Sequence, residues 1–212
     1  MPQEISDSGK TAEDFWEDVY GEASPISRGR PGLVVERFTK ALAPGHALDM
    51  GCAKGDDAVW LAKRKWTVVA VDISSTALAY AAENARREDV SDRISFEQYD
   101  LANSFPAGSF NLVLASFFHS PVGLPRAKVF RRAAASIVSG GHLLIIEHGS
   151  RAPWSWAPSD TQYPTAEEAF QELDLDAGVW EPVYIDAVER VAKGPDNQEA
   201  TVRDNVVFLR RL

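Results

Sequence analysis

The stretch Asp49-Met50-Gly51-Cys52-Ala53-Lys54-Gly55 puts a carboxylate near the end of a short apolar run and two glycines in the turn that follows. Glycines at such a turn let the backbone come close to a ligand. A second apolar run, TVVAVDI, ends in Asp72 with Ile73 beside it, and ISFEQYDL ends in Asp100 and Leu101. Three carboxylates at three run ends suit a ligand rich in hydrogen-bond donors and positive charge. They do not suit a phosphate. A dinucleotide turn, G-x-G-x-x-G, asks for glycine where Ala53 and Asp56 stand. Asp56 and Asp57 are expected to repel a diphosphate there. A phosphate-binding P-loop is excluded because no Gly-Lys-Ser/Thr follows.

S-adenosylmethionine has the complementary groups, an ammonium, a sulfonium, a ribose diol and an adenine, and it carries no phosphate. Asp49 is expected to receive the ammonium. Gly51, Cys52, Ala53 and Gly55 form the turn against the methionine and ribose, and Asp72 accepts both ribose hydroxyls, the role an acid about 20 residues on plays in dinucleotide sites. Ile73 offers adenine an apolar face, Asp100 meets its amino group beside Leu101, and Ser116, closing the next apolar run, completes the cradle. Cys52 reads as a small packed residue, since transfer from a sulfonium needs no enzyme nucleophile.

These residues need a scaffold with strand ends in a row. From residue 45 onward, short apolar runs alternate with helical patterns, the mark of a doubly wound, parallel α/β sheet. In such sheets ligands bind beyond the carboxyl ends of the strands. Two long alternating segments, WEPVYIDAVERVA and EATVRDNVVFLRRL, read as an antiparallel hairpin at a sheet edge. RAKVFRRAAASIVSGG reads as an amphipathic helix through Val138 with Gly140 as its stop. Ahead of the core, TAEDFWEDVYGEA predicts a short helix stopped by Gly21. Residues 1–212 are expected to form a single domain: a disordered tail over 1–11, a helical lid over 12–44 and an α/β core over 45–212.

The second partner of the reaction, the acceptor, is expected between the lid and the loops after the fourth and fifth runs. Trp16, Tyr20, Phe117, Trp154 and Trp156 make those segments aromatic, and aromatic faces favour cations and soft groups. His119 lies just past the fourth run, where a catalytic base would sit. Arg28 and Arg30 read as solvated loop charge.

The 212 residues carry a formal net charge of −9, which argues against nucleic acid and anionic membrane as partners. One cysteine and four scattered histidines predict no metal site. A polar, acidic start and no apolar run of membrane-spanning length predict a cytoplasmic protein, monomeric or homodimeric.

The motifs LDMGCAKG, VVAVDIS, QYDL, FNLVLASFF and GGHLLIIE, in that order, resemble those of class I SAM-dependent methyltransferases. The resemblance implies a Rossmann-like, seven-stranded sheet of order 3-2-1-4-5-7-6, mostly parallel, with an antiparallel C-terminal hairpin strand. Ala53 departs from the usual middle glycine of the first motif. FWEDVYGE and GRPG, before that motif, are similar to the tellurite-resistance and thiopurine methyltransferase group, which implies a small, soft sulfur, selenium or tellurium nucleophile as acceptor. Two alternatives stay open: a non-catalytic SAM-binding regulator, and methyl transfer to oxygen or nitrogen of a small metabolite.

Overall fold

The computed structural model describes residues 9–27, 29–155 and 157–212. Helices α1 (Ala12–Glu22) and α2 (Leu33–Thr39) precede an alternating core: β1 (His46–Met50), α3 (Asp56–Lys63), β2 (Thr67–Asp72), α4 (Ser75–Arg87), β3 (Ile94–Gln98) and β4 (Phe110–Ser116). Then come α5 (Arg126–Ala135), β5 (Ile137–His148), α6 (Ala166–Glu172), β6 (Trp180–Lys193) and β7 (Glu199–Arg211). The strands form one sheet in the order β3-β2-β1-β4-β5-β7-β6. Pairing is parallel from β3 to β5, and β7 runs antiparallel to both its neighbours. The resemblance implied this order.

Successive side chains of a strand face opposite sides of its sheet. Ala47, Val68, Ala70, Leu112, Leu114, Leu144 and Ile146 therefore pack on one face, under α2, α3 and α4. Leu48, Met50, Val71, Val113, Ala115, Leu143 and Ile145 pack on the other, under α5 and α6. Burial on both faces explains why these strands read as unbroken apolar runs.

Two element boundaries differ from the sequence reading. Helix α1 continues through Gly21 to Glu22. Helix α5 stops at Ala135, and Ile137 and Val138 open β5 instead of closing the helix. Ile137 pairs with Phe110, and its carbonyl accepts from Arg211 Nη1. β-branched residues at an available strand position gain more from sheet packing than from a last helical turn. Gly140, at φ 78°, lets the strand bend rather than ending a helix.

Candidate functional site

A cavity of about 530 Å³ opens over the carboxyl ends of β1, β2, β3 and β4. Its floor is Gly51, Asp72 and Ile73, with Asp100 and Leu101 at one side. Trp16 and Tyr20 of α1 form one wall, and the loop after β4, from Phe117 to Pro125, forms the other.

The floor is held together by backbone donors. One Asp72 oxygen accepts from Ala53 N–H at 2.9 Å and the other from Ser74 N–H at 3.0 Å. Both oxygens thus keep a lone pair for a ligand. Ser74 caps α4 through its side chain, as 3.0 Å from Ala77 N shows. Burial pushes the Asp72 carboxyl up, against the downward pull of its backbone donors. Gly51 N–H and Cys52 N–H both donate to Val71 O, at 2.8 and 2.9 Å, which folds the turn back onto β2. A Cβ at Gly51 would stand 2.7 Å from Phe118 Cδ2, so glycine there lets the β4 loop close on the turn. Ala53 itself adopts φ 51°, a left-handed conformation that glycine holds more cheaply.

Asp49 is 2% exposed and lies beneath the floor rather than on the cavity lining. Its Oδ2 is buried with no hydrogen-bond partner among the described residues. Burial, then the nearby Asp57 and Asp72, hold its carboxyl well above the ordinary range. A buried carboxyl oxygen without a partner, close under the turn, fits a hydrogen-bond donor or cation on a ligand better than a phosphate. Cys52 is packed and its thiol is pushed up by burial, Asp49 and Asp72. A packed, protonated thiol is no nucleophile.

One part of the sequence argument is corrected. Asp56 and Asp57 do not project into the cavity. Asp57 Oδ1 accepts from Gly32 N–H at 2.7 Å, tying the segment before α2 to α3. Asp56 lines a separate cleft of about 340 Å³ with Arg30. Acids at the first turn of α3 complement its dipole. The excluded phosphate therefore rests on the missing glycines and on Asp72, not on these two residues.

Asp100 lies two residues past β3 and orders its own turn, accepting from Ala102 N at 3.0 Å and Asn103 Nδ2 at 2.6 Å. Ser116 ends β4 but is not part of the cavity wall. Helix α1 reaches across the crevice. Glu17 accepts from Ser75 N–H and, at 3.2 Å, from Thr76 N–H at the start of α4, and Glu13 accepts from Gln98 Nε2 at 2.9 Å. This brings Tyr20 over the floor, where burial and Asp72 push its phenol up.

On the far wall, Phe117 takes φ 53°, rare for a bulky residue. It is held there by Ile146 O, which accepts its N–H at 2.8 Å, and by stacking on His148 with ring centroids 4.5 Å apart. His119 follows. Its Nδ1 lies 3.1 Å from Arg126 Nη1, and the same guanidinium pairs with Glu147 and donates to Phe118 O. Arginine has no lone pair to offer, so Nδ1 accepts and the neutral ring carries its hydrogen on Nε2. Burial, Arg126 and His148 push the His119 pKa down to about 3. Arg190 pairs with Asp204 behind His148, and Asp204 is only 1% exposed.

Trp154 does not join this wall. A Cβ at Gly194 would stand 2.3 Å from its ring, so it packs on the β6–β7 hairpin. Trp156 and Arg28 lie outside the described residues. The sequence reading missed Tyr99, Leu124 and Lys128 on the lining, and Arg126 behind it. The breaker-rich SPVGLPRAK following a buried strand was the available signal.

Residues 47–141 match the family described as "Methyltransferase domain". Over that stretch, from β1 to the start of β5, the chain is similar to methyltransferase domains. It is similar to methyltransferase GfsG of Streptomyces halstedii, with 33% identity over 63% of this chain and 49% of that protein. It is also similar to the 27-O-demethylrifamycin SV methyltransferase of Amycolatopsis mediterranei, 34% identical over 62% of this chain and 48% of that one. The chain thus spans about half the length of these curated relatives. Among solved structures, one described as "Conversion of a Disulfide Bond into a Thioacetal Group during Echinomycin Biosynthesis" superposes with a TM-score of 0.72 at 23% identity, covering 94% of this chain and 92% of that one. The N-methyltransferase NodS from Bradyrhizobium japonicum WM9, in complex with S-adenosyl-L-homocysteine, superposes with a TM-score of 0.67 at 15% identity, covering 95% and 99%. Both show the shared fold.

Proposed function

We propose that this protein transfers a methyl group from S-adenosylmethionine to a small molecule. The observation that carries the proposal is a single cavity with two unlike halves: a carboxylate-lined floor over β1–β3 and an aromatic wall over β4. Asp72 would hold the ribose hydroxyls, Ile73 and Leu101 the adenine, and Asp100 its amino group. Asp49, buried beneath the turn with Oδ2 unpartnered, would act on the ammonium only from below the floor. When bound, the cofactor supplies an already activated methyl group. The chain's own residues then bind, orient and exclude water.

Helix α1, tethered through Glu13 and Glu17, serves as a lid in the 12–44 segment. Trp16, Tyr20, Phe117 and His119 would surround the acceptor. Aromatic walls favour a soft sulfur, selenium or tellurium nucleophile; the similarity to a 27-O-demethylrifamycin methyltransferase favours oxygen as the second reading. A net charge of −9 supports a small acceptor over nucleic acid.

A thermal-shift panel of SAM, S-adenosylhomocysteine, NAD and NADP tests the proposal. A ligand at 100 times its Kd adds about 2.7 kcal/mol to stability. Stabilisation by S-adenosylhomocysteine and not by NAD is expected. The reverse result would overturn the assignment.

A further inference from the structure

We propose that the Tyr20 hydroxyl, carried over the floor by α1, donates to the carboxylate of the cofactor's amino-acid end and makes the site select cofactors that keep that group. This rests on the methyltransferase reading above. Three observations converge. Tyr20 lines the cavity, and its hydroxyl keeps accessible surface while donating to no acceptor among the described residues. The hydroxyl lies toward the floor rather than the β4 wall, since Asp72 and Cys52 are the ionisable groups near enough to act on it. The glycine turn, against which the amino-acid end is expected to lie, has little left to donate. Gly51 and Cys52 N–H go to Val71 O, Ala53 N–H to Asp72, and Gly55 N–H to Cys52 O at 2.8 Å. Four of the five N–H groups from Gly51 to Gly55 are thus spent inside the protein.

The cofactor's own groups decide which of them meets this donor. Its ammonium and sulfonium are cations and accept nothing from a phenol. Its ribose hydroxyls go to Asp72, and its adenine to Ile73, Leu101 and Asp100, under the reading above. The carboxylate remains, and it only accepts. The floor presents it with the carboxyl oxygens of Asp72 and Asp100, which do not donate when ionised. An ion moved from water into such a place needs a donor from another element. Burial, then Asp72 and Cys52, push the Tyr20 phenol up, so it keeps its hydrogen at neutral pH. A hydrogen bond to an ionised acceptor is roughly twice as strong as one between neutral groups. Lys128, the other candidate partner for an anion on the lining, belongs to α5 beside the β4 loop and is exposed. Helix α1 has no buried residue of its own. Its hold on the core is Glu13 on Gln98 and Glu17 on the start of α4, with Trp16 packed on Tyr20 at 6.1 Å between centroids. A bond from Tyr20 to the cofactor adds a third tie, so the carboxylate draws the lid shut.

The test compares, by calorimetry, S-adenosylhomocysteine with its decarboxylated analogue, which keeps the ammonium, on wild type and on Tyr20→Phe. The variant keeps the ring that packs on Trp16 and removes only the hydroxyl. It is expected to weaken S-adenosylhomocysteine about tenfold and the analogue by less than about twofold. Equal weakening of both ligands, or of neither, overturns the inference. Lys128→Met is expected to leave the preference for the carboxylate within about twofold; loss of the preference there and not in Tyr20→Phe also overturns it. Hydrogen exchange of the α1 amides gives a second readout. S-adenosylhomocysteine should slow exchange in wild type, while the analogue, or Tyr20→Phe with either ligand, should leave α1 close to the free protein. Equal protection of α1 by the two ligands in wild type overturns the lid tie. A wild type that binds neither ligand sinks the methyltransferase reading, whereas binding without discrimination sinks this inference alone.

Discussion

The two halves of the cavity are built on opposite principles. On the β1–β3 side, each carboxylate is set by donors a few residues away in its own strand–turn–helix unit or the neighbouring one: Asp72 by Ala53 and Ser74, Asp100 by Ala102 and Asn103. On the β4 side, the His119 ring is set by a chain of partners from distant elements. His119 is held by Arg126, Arg126 by Glu147, and His148 is flanked by the Arg190–Asp204 pair. Local backbone donors hold a constant ligand in a constant place. Side-chain pairs drawn from several elements can be exchanged without disturbing the floor. A fixed cofactor and a changeable acceptor call for that division.

The comparison can be broken at its largest predicted effect. Arg190→Ala leaves the Asp204 carboxylate buried at 1% exposure without a counter-ion, and losing one partner of a buried pair costs about 3–5 kcal/mol. Chemical denaturation should show that loss, while affinity for S-adenosylhomocysteine in the folded protein stays within about twofold. A large affinity change would show the halves to be coupled. Asp72→Ala should do the converse, weakening S-adenosylhomocysteine about 100-fold by calorimetry, equivalent to about 2.7 kcal/mol. An unchanged affinity would mean that the ribose is held elsewhere.

The lid straddles both halves. Glu17→Ala removes the acceptor at the start of α4, worth about 1 kcal/mol. An increase of about fivefold in KM for cofactor and acceptor alike is expected, with kcat nearly unchanged. A rise confined to one substrate would assign α1 to that half alone. The smallest effect is Ala53→Gly. Relief of the left-handed φ of 51° should add about 0.5–1 kcal/mol in thermal denaturation with cofactor binding intact.

Acid should also separate wild type from His119→Gln. The folded His119 has its pKa pushed down to about 3, so between the ordinary histidine value of 6.5 and about 3 the unfolded chain binds the extra proton. Stability present above pH 6.5 is therefore lost progressively as pH falls through that window. The variant should lose less over the same range, measured by urea midpoint against pH.

The amino-acid sequence alone determined the alternation of strands and helices, because burial on two faces forces apolar runs and burial on one forces a helical period. It also determined the floor, since Gly51, Asp72 and Asp100 stand within a few residues of the turns that orient them. Tertiary structure decided which residues line the cavity. Trp154 turned to the hairpin at Gly194, Asp57 turned to Gly32, and Asp49 sank beneath the floor. It also decided the chemistry available to His119. A histidine's proton is placed by whatever meets its other nitrogen, and that partner, Arg126, is fixed by Glu147 at the end of a strand 21 residues further along. Side-chain pairs of that kind leave no periodicity in a sequence, because packing against a third element selects them.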